Sequence, residues 1–133
     1  RYTRQTGIHV NFDSTSFSGR FPEEIETTAY RIIQEALTNV ARHAQVTEVF
    51  VGLAVDNRAV WLEILDKGRG FDTSAALNNP TSGLSGMSER AALAGGYLTI
   101  NSYIDQGTQV VAALPLGKTP LERRENDRNS LSG

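Results

Sequence analysis

Apolar residues recur at three- and four-residue spacing between positions 25 and 44, which predicts a long helix with one buried face. Pro22 suits the first turn of this helix. Glu35 and Asn39 are four residues apart and lie along one border of the apolar stripe, and His43 falls just inside it. A carboxylate, an amide and an imidazole are therefore expected to line up at the edge of the core, half sheltered from water.

Alternating apolar and polar positions elsewhere predict five strands. These strands cover residues 8–12, 49–55, 60–66, 97–104 and 108–116. Turns at residues 56–58 and 105–107 join the second strand to the third and the fourth to the fifth as antiparallel hairpins. A second helix opens after Gly83 and stops at Gly95. The pattern predicts an α+β fold, a two-layer sandwich with helices on one face of a mixed, mostly antiparallel sheet.

Two segments lack periodicity. Residues 73–82 precede the second helix and are expected to form a mobile loop. Residues 118–133 mix charges of both signs and hold only two leucines, which predicts a flexible tail. The folded domain is therefore expected to span residues 1–117.

Composition narrows the class of protein. The 133 residues are 39% hydrophobic, which suits one domain with a real core. The net charge is −2 and there is no long basic run, which argues against a dedicated nucleic-acid binder. The absence of cysteine excludes disulfides and thiolate metal sites. No apolar run approaches the roughly 20 residues that span a bilayer, and the opening at Arg1 without Met suggests a segment of a longer protein.

The polar row on the long helix has two interpretations. On this helix alone, an ordinary amphipathic border is the simpler one. The functional interpretation is a Mg²⁺ site, because an Asn carbonyl is a hard oxygen ligand and Mg²⁺ binds through few protein groups plus phosphates. Glu35, one turn before Asn39, could hold a water of the metal, and Arg42 or His43 could reach phosphate oxygens.

The third strand ends in Asp66, and Gly68 and Gly70 follow it. This segment is either a simple strand-ending turn or a ligand site. In the second case a partly buried Asp66 accepts a hydrogen bond from an exocyclic amine such as that of adenine, since a buried carboxylate without a donor is costly. The glycines would let the backbone pass close to a flat ligand. Two spaced glycines without a parallel strand–helix–strand unit do not fit a dinucleotide fold.

Two further motifs carry weaker signals. Residues 83–87, Gly-Leu-Ser-Gly-Met, are either a plain helix entry or a phosphate site, because free backbone N–H groups at a helix start attract anions. Thr108, after the turn glycine at position 107, is either a β-branched strand residue or a hydroxyl beside Asp66 on the adenine side. The order of the four motifs along the chain, their spacing and the type of element that carries each one all agree with a single ligand site.

Together these motifs resemble the ATP-binding catalytic domain of sensor histidine kinases, in the ATPase superfamily shared with gyrase, heat-shock chaperones and mismatch-repair ATPases. Q-E-A-L-T-N-V-A-R-H-A resembles the N box, D-K-G-R-G-F the first glycine box and G-T-Q-V-V-A-A-L-P-L the closing strand. G-L-S-G-M-S-E-R resembles the second glycine box in the form typical of the nitrate-sensor-like branch. The resemblance covers about residues 7–116.

The resemblance implies the Bergerat fold, with ATP beneath a loop. It implies that Asn39 binds Mg²⁺, that Glu35 supports the waters of the metal, and that Asp66 contacts adenine with help from Thr108. Glu35 and Asn39 are the implied catalytic residues, and Glu35 is expected not to be a general base, because a kinase gains nothing by activating water. The implied nucleotide-binding residues are Asn39, Arg42, His43, Asp66, Gly68, Gly70, Phe71, Gly83, Leu84, Gly86, Met87 and Thr108.

Two family features are missing. There is no separate phenylalanine-containing box between positions 71 and 83, which agrees with the nitrate-sensor-like branch. The phosphoacceptor helix that precedes the catalytic domain in this family is not expected among residues 1–6, and His9 in a strand and His43 in the ATP-site helix are expected to be poor acceptors. The expected partners are therefore a dimerisation and phosphoacceptor domain of the same kinase and a downstream response regulator. The resemblance also implies a cytoplasmic domain of a membrane-anchored protein.

Two other functions remain open on the same fold. An anti-sigma-factor-like serine kinase would phosphorylate a serine protein without a histidine domain, although the second glycine box favours the histidine kinase. A non-catalytic nucleotide-binding module would bind ATP with no turnover.

Overall fold

The computed structural model describes residues 1–14, 22–77 and 83–117. The helices are α1 (Tyr2–Thr6), α2 (Glu23–Asn39), α3 (Thr73–Leu77) and α4 (Leu84–Leu93), and a π-helical turn (Val40–Ala44) continues α2. The strands are β1 (His9–Ser14), β2 (Glu48–Val55), β3 (Ala59–Asp66), β4 (Tyr97–Tyr103) and β5 (Gly107–Pro115).

The strands form one mixed sheet in the order β1-β2-β3-β5-β4. β1 runs parallel to β2, and every other neighbouring pair is antiparallel. The predicted five strands, both hairpins and the mostly antiparallel sheet are confirmed.

Helices cover one face of this sheet. Along β3, Val60, Leu62 and Ile64 are buried, whereas the intervening Trp61 is 39% exposed, so alternation separates a core face from an outer face. Helix α2 packs on β3 and β5, helix α4 packs on β4 and β5, and the two helices contact each other. The α+β sandwich with helices on one face, as the sequence predicts, is confirmed.

The sequence pattern does not predict two short helices. Helix α3 occupies the start of the expected loop, and residues 78–82 lie outside the described residues. Helix α1 holds five residues, none of them fully buried, and so offers no apolar periodicity to detect. The expected tail, residues 118–133, also lies outside the described residues. No helix within the described ranges is both long and apolar enough to cross a membrane.

The long helix ends at Ala44 as predicted, but its last turn is π-helical. A π turn pairs each carbonyl with the N–H five residues on, so residues after Asn39 depart from α-helical spacing. The expectation that His43 lies just inside the apolar stripe is therefore wrong, because its side chain is exposed. Gln45, with a φ of 55°, adopts the left-handed conformation and terminates the helix.

Helix α1 is attached to α2 through Tyr2. The Tyr2 hydroxyl donates a hydrogen bond of 2.8 Å to the carbonyl oxygen of Leu37, near the change from α to π geometry. Burial, and to a smaller extent the charge of Asp66, raise the pKa of the Tyr2 hydroxyl above its usual value. The phenol therefore remains a donor throughout the neutral pH range.

Tyr2→Phe should lower the free energy of unfolding by about 1 kcal/mol, because the variant loses this hydrogen bond but retains the ring. The difference should vanish as pH rises through the raised pKa of Tyr2, where the wild-type hydroxyl loses its proton. Urea denaturation between pH 7 and 11 measures both effects. Tyr30→Phe is the matched control because Tyr30 is 64% exposed. Equal losses of unfolding free energy in Tyr2→Phe and Tyr30→Phe would contradict a stabilising hydrogen bond from Tyr2 to Leu37.

Candidate functional site

A cavity of about 430 Å³ lies between the end of α2, the ends of β3 and β5, and the segments that contain α3 and the start of α4. This volume is within the range of small-molecule sites. It is lined by Ala36, Asn39, Val40, Arg42, His43, Ala44, Ile64, Asp66, Gly70, Phe71, Ala76, Leu84, Thr108 and Val110. The lining is mostly apolar with a few polar groups, which suits a flat ring that carries a small number of hydrogen-bonding atoms.

A row of three polar residues crosses the sheet at the cavity. Asp66 on β3 pairs with Thr108 on β5, and Thr108 pairs with Ser102 on β4. All three occupy core-facing positions, because each continues the alternation of apolar residues on its own strand. The apolar face of the sheet therefore ends in an acidic group and two hydroxyls.

Asp66 is the acidic group of this row and is only 5% exposed. Its Oδ1 accepts a hydrogen bond of 2.8 Å from the backbone N–H of Gly68. Desolvation raises the pKa of Asp66 above its ordinary value, and the Gly68 hydrogen bond opposes that rise. A largely buried carboxylate that lines a cavity suits a ligand N–H donor, such as an amino group on a ring.

Asn39 occupies the last position of α2, directly before the π turn. Its Oδ1 is buried and has no hydrogen-bond partner within the described residues. A buried carbonyl left without a partner costs about 1–3 kcal/mol. This oxygen therefore fits a cation or a ligand donor in the cavity, and an amide oxygen is a ligand type that Mg²⁺ accepts.

Arg42 and His43 lie on the π turn and also line the cavity. Both side chains are exposed, so they form its rim and not its wall. Arg42 is a permanent cation in water. A cationic rim beside Asn39 suits an anionic group that extends out of the cavity.

The turn after β3 is held against two other elements. Gly70 has a φ of 61°, and a Cβ there would collide with the carbonyl oxygen of Tyr103 at the end of β4. Gly68 packs against Ala44 at the end of the π turn. Gly70 and Phe71 line the cavity, whereas Gly68 contributes its N–H to Asp66. At Gly68 the requirement for a small residue therefore comes from packing on the helix.

Glu35 does not line the cavity and lies against Gly83, at the start of α4. Gly83 precedes α4 with a φ of 80°, and a Cβ there would collide with the Glu35 carboxylate. Leu84 lines the cavity, but Met87 is 1% exposed within the core. Of the residues predicted for the site, five do not line the cavity, namely Glu35, Gly68, Gly83, Gly86 and Met87.

Sequence reasoning missed the buried hydroxyl of Ser102 and the aliphatic wall of the cavity. Ser102 is the polar member of an otherwise apolar core-facing set on β4, after Leu98 and Ile100, and this break in the pattern is a detectable signal. The wall consists of Ala36, Val40, Ala44, Ile64, Ala76 and Val110. All of them except Ala76 follow ordinary core patterns, and Ala76 lies in the segment without periodicity, so nothing in the sequence marks any of them as a wall residue.

Relatives with solved structures share this fold. The histidine kinase domain of the blue-light activated histidine kinase of Erythrobacter litoralis EL346 superposes with a TM-score of 0.67 at 19% identity, over 86% of this chain and 56% of that chain. The Acinetobacter baumannii histidine kinase AdeS gives 0.71 at 15% identity, over 88% and 58%. At these identities the likeness concerns the fold alone.

Comparison of sequences gives a higher identity than these two structures do. The oxygen sensor histidine kinase NreB of Staphylococcus carnosus (strain TM300) is 39% identical over 116 residues, which cover 87% of this chain and 33% of NreB. The chain thus spans about a third of the length of that relative. Residues 24–118 match the family described as "Histidine kinase-, DNA gyrase B-, and HSP90-like ATPase". This chain therefore belongs to the family of histidine kinase-, DNA gyrase B- and HSP90-like ATPases.

Proposed function

We propose that this chain binds Mg-ATP and supplies the γ-phosphate for phosphorylation of a histidine on a separate dimerisation domain of a sensor histidine kinase. The family match supports ATP as the nucleotide. The name of NreB supports the histidine kinase branch, and the remaining two thirds of that protein leave room for sensing and phosphoacceptor segments. A response regulator would then receive the phosphoryl group from the histidine.

The observation that carries this proposal is the buried Oδ1 of Asn39, a residue of the lining of a ligand-sized cavity, because this oxygen has no hydrogen-bond partner among the described residues. An oxygen in that state is explained by a cation that arrives with the ligand. When bound, Mg²⁺ would neutralise charge on the phosphates and orient them. Asn39 is the residue that would hold the metal, and Arg42 and His43 at the rim would contact the phosphate oxygens.

The adenine base would lie among the apolar side chains of the cavity lining, next to the carboxylate of Asp66. Asp66 would accept a hydrogen bond from the amino group of adenine, and Thr108 lies beside it on the next strand. Phe71 and Leu84 would contribute apolar contacts. Gly83 and Gly86 do not line the cavity, so the N-terminal end of α4 would favour the phosphates through its positive dipole where they leave the cavity beside Leu84.

The chain's own contribution to catalysis would be positioning and electrostatic stabilisation, because phosphoryl transfer requires little covalent chemistry from the protein. Glu35 lies one turn before Asn39 and against Gly83 but does not line the cavity, so it would support the metal's waters and would not take a proton from the reacting group. The proton-accepting group would then belong to the phosphoacceptor domain. His9 is exposed on β1, away from the cavity lining, and is no acceptor in this scheme.

Phosphotransfer is tested by mixing this chain with the dimerisation segment of its own full-length protein and γ-labelled ATP. The label should appear on a histidine of the added segment, with the acid lability and alkali stability of a phosphoramidate. Acid-stable label on a serine would favour the serine kinase instead. Nucleotide binding without any transferred label would favour the non-catalytic module.

Asn39→Ala should abolish the Mg²⁺ dependence of ATP binding. Titration calorimetry of the wild type should give an affinity about tenfold or more higher with Mg²⁺ than with EDTA, and the variant should give similar affinities in both. The free energy of unfolding should not fall, because the lost oxygen has no protein partner in the described residues. The exposed turn residue Asn57 provides the control Asn57→Ala. A wild-type affinity indifferent to Mg²⁺ would contradict the metal site.

Asp66→Asn should weaken ATP binding by about tenfold or more, because a hydrogen bond to a charged acceptor is lost. The same variant should be more stable than the wild type at pH 7. Desolvation raises the folded-state pKa of Asp66, so the folded wild type binds more protons than the unfolded chain and loses stability as pH rises from about 4.

The stability advantage of Asp66→Asn should therefore grow from pH 4 toward neutrality and then level off. Urea denaturation at a series of pH values, compared with Asp105→Asn at an exposed site, measures it. If the free energies of unfolding of the wild type and Asp66→Asn changed in parallel with pH, burial of the Asp66 carboxylate would have no effect on stability.

A further inference from the structure

Ser102 is a buried hydroxyl that the proposed nucleotide site does not use directly. It is 4% exposed and is not among the residues that line the cavity. Its Oγ accepts a hydrogen bond of 2.9 Å from the backbone N–H of Phe71. It also lies 2.7 Å from Oγ1 of Thr108 and 3.2 Å from the carbonyl oxygen of Gly107.

The number of available protons limits how this cluster is arranged. The N–H of Phe71 can only donate, so Ser102 must direct its single proton to either Thr108 or Gly107. The 2.7 Å contact to Thr108 has the usual length of an O–H···O hydrogen bond, whereas the 3.2 Å contact to Gly107 is longer than that range. A distance of 2.7 Å fits a hydrogen bond in either direction, so Ser102 donates to Thr108 when its proton does not go to the longer contact at Gly107.

Donation by Ser102 would determine which hydrogen-bonding group Thr108 presents to the cavity. When the Thr108 oxygen accepts from Ser102, its own proton is free to point toward the cavity that Thr108 lines. The neighbouring Asp66 is an acceptor when ionised. The end of the cavity then offers an acceptor and a donor side by side, in a fixed order.

An acceptor beside a donor is complementary to the hydrogen-bonding edge of adenine but not to that of a 6-oxopurine. Adenine presents an amino donor next to a ring nitrogen that accepts, which is complementary to an acceptor beside a donor. Hypoxanthine and guanine present a carbonyl acceptor next to a ring N–H, which reverses both groups. A protein site that leaves such groups mismatched discriminates strongly, because buried polar groups lose their partners.

We propose that Ser102 donates its proton to Thr108, and that it is thereby a specificity-determining positioning residue that holds the Thr108 hydroxyl as a donor and selects adenine over 6-oxopurine nucleotides. This inference rests on the proposed binding of ATP in the cavity. Ser102 touches no nucleotide itself and acts through Thr108. The serine also receives the N–H of Phe71, so the same side chain ties the segment after β3 to the β4–β5 hairpin.

Titration calorimetry with Mg-ATP and Mg-ITP tests the inference, because the two nucleotides differ only at the edge in question. The wild type should prefer ATP. Ser102→Ala should reduce the ATP-to-ITP affinity ratio about three- to tenfold, the worth of one hydrogen bond. Without Ser102, the Thr108 hydroxyl is free to rotate and to accept the ring N–H of hypoxanthine.

A double-mutant cycle with Thr108→Val separates this effect from a general loss of structure. In the Thr108→Val background, Ser102→Ala should leave the affinity ratio unchanged within about twofold, because the group it acts on is gone. Ser102→Thr, which keeps the hydroxyl, should retain most of the wild-type ratio. Thr99→Ala, on the exposed side of the same strand, should retain all of it.

A ratio unaffected by Ser102→Ala, or equally reduced with and without the Thr108 hydroxyl, would overturn the inference while leaving ATP binding intact. Absence of binding of either nucleotide to the folded wild type would instead overturn the proposed function. If Ser102→Ala does not fold, as judged by circular dichroism, Ser102→Cys replaces it. Cys keeps the size of the side chain but is a weak donor, so the same loss of selectivity is expected.

Discussion

The site depends on the burial of a polar row at one end of an otherwise apolar sheet face. Asp66, Thr108 and Ser102 stand in register on three neighbouring strands, and two of them are almost fully buried. Buried polar groups need partners, and these hydroxyls, backbone N–H groups and one carboxylate satisfy one another in part. The hydrogen-bonding capacity that remains faces the cavity, where a ligand can complete the network.

A second constraint comes from the end of the long helix. The change to π geometry after Asn39 turns Arg42 and His43 to the rim of the cavity, and π turns inside helices often occur at functional sites. The Tyr2 hydroxyl and the close packing of Gly68 on Ala44 hold this part of the helix from two sides. The wall that carries the unpaired Asn39 oxygen is thus fixed before any ligand arrives, which lowers the entropic cost of binding.

Both groups that the proposed function uses most are unfavourable for the empty protein. Asp66 is a desolvated carboxylate, and the Asn39 oxygen is buried without a partner in the described residues. If folding were the only requirement, an apolar or uncharged side chain at either position would leave the stability of the protein unchanged or raise it. Function at the expense of stability is the common property of binding sites, and here it falls on the two residues expected to contact adenine and Mg²⁺.

The sequence by itself determined the elements, because period-two and helical patterns record which face of each strand and helix is buried, as along Val60, Leu62 and Ile64. Spacing also identified Asn39 and Asp66 as polar residues at the border of the core. Only the tertiary structure decided which of the predicted residues meet at one cavity. It placed Met87 in the core, His43 at the rim and Glu35 against Gly83. The packing of α2 against α4 sets the positions of Glu35 and Met87, and the π turn sets that of His43. The pairing of Asp66 with Thr108 likewise joins residues that are distant in the chain, and no local sequence pattern records such contacts.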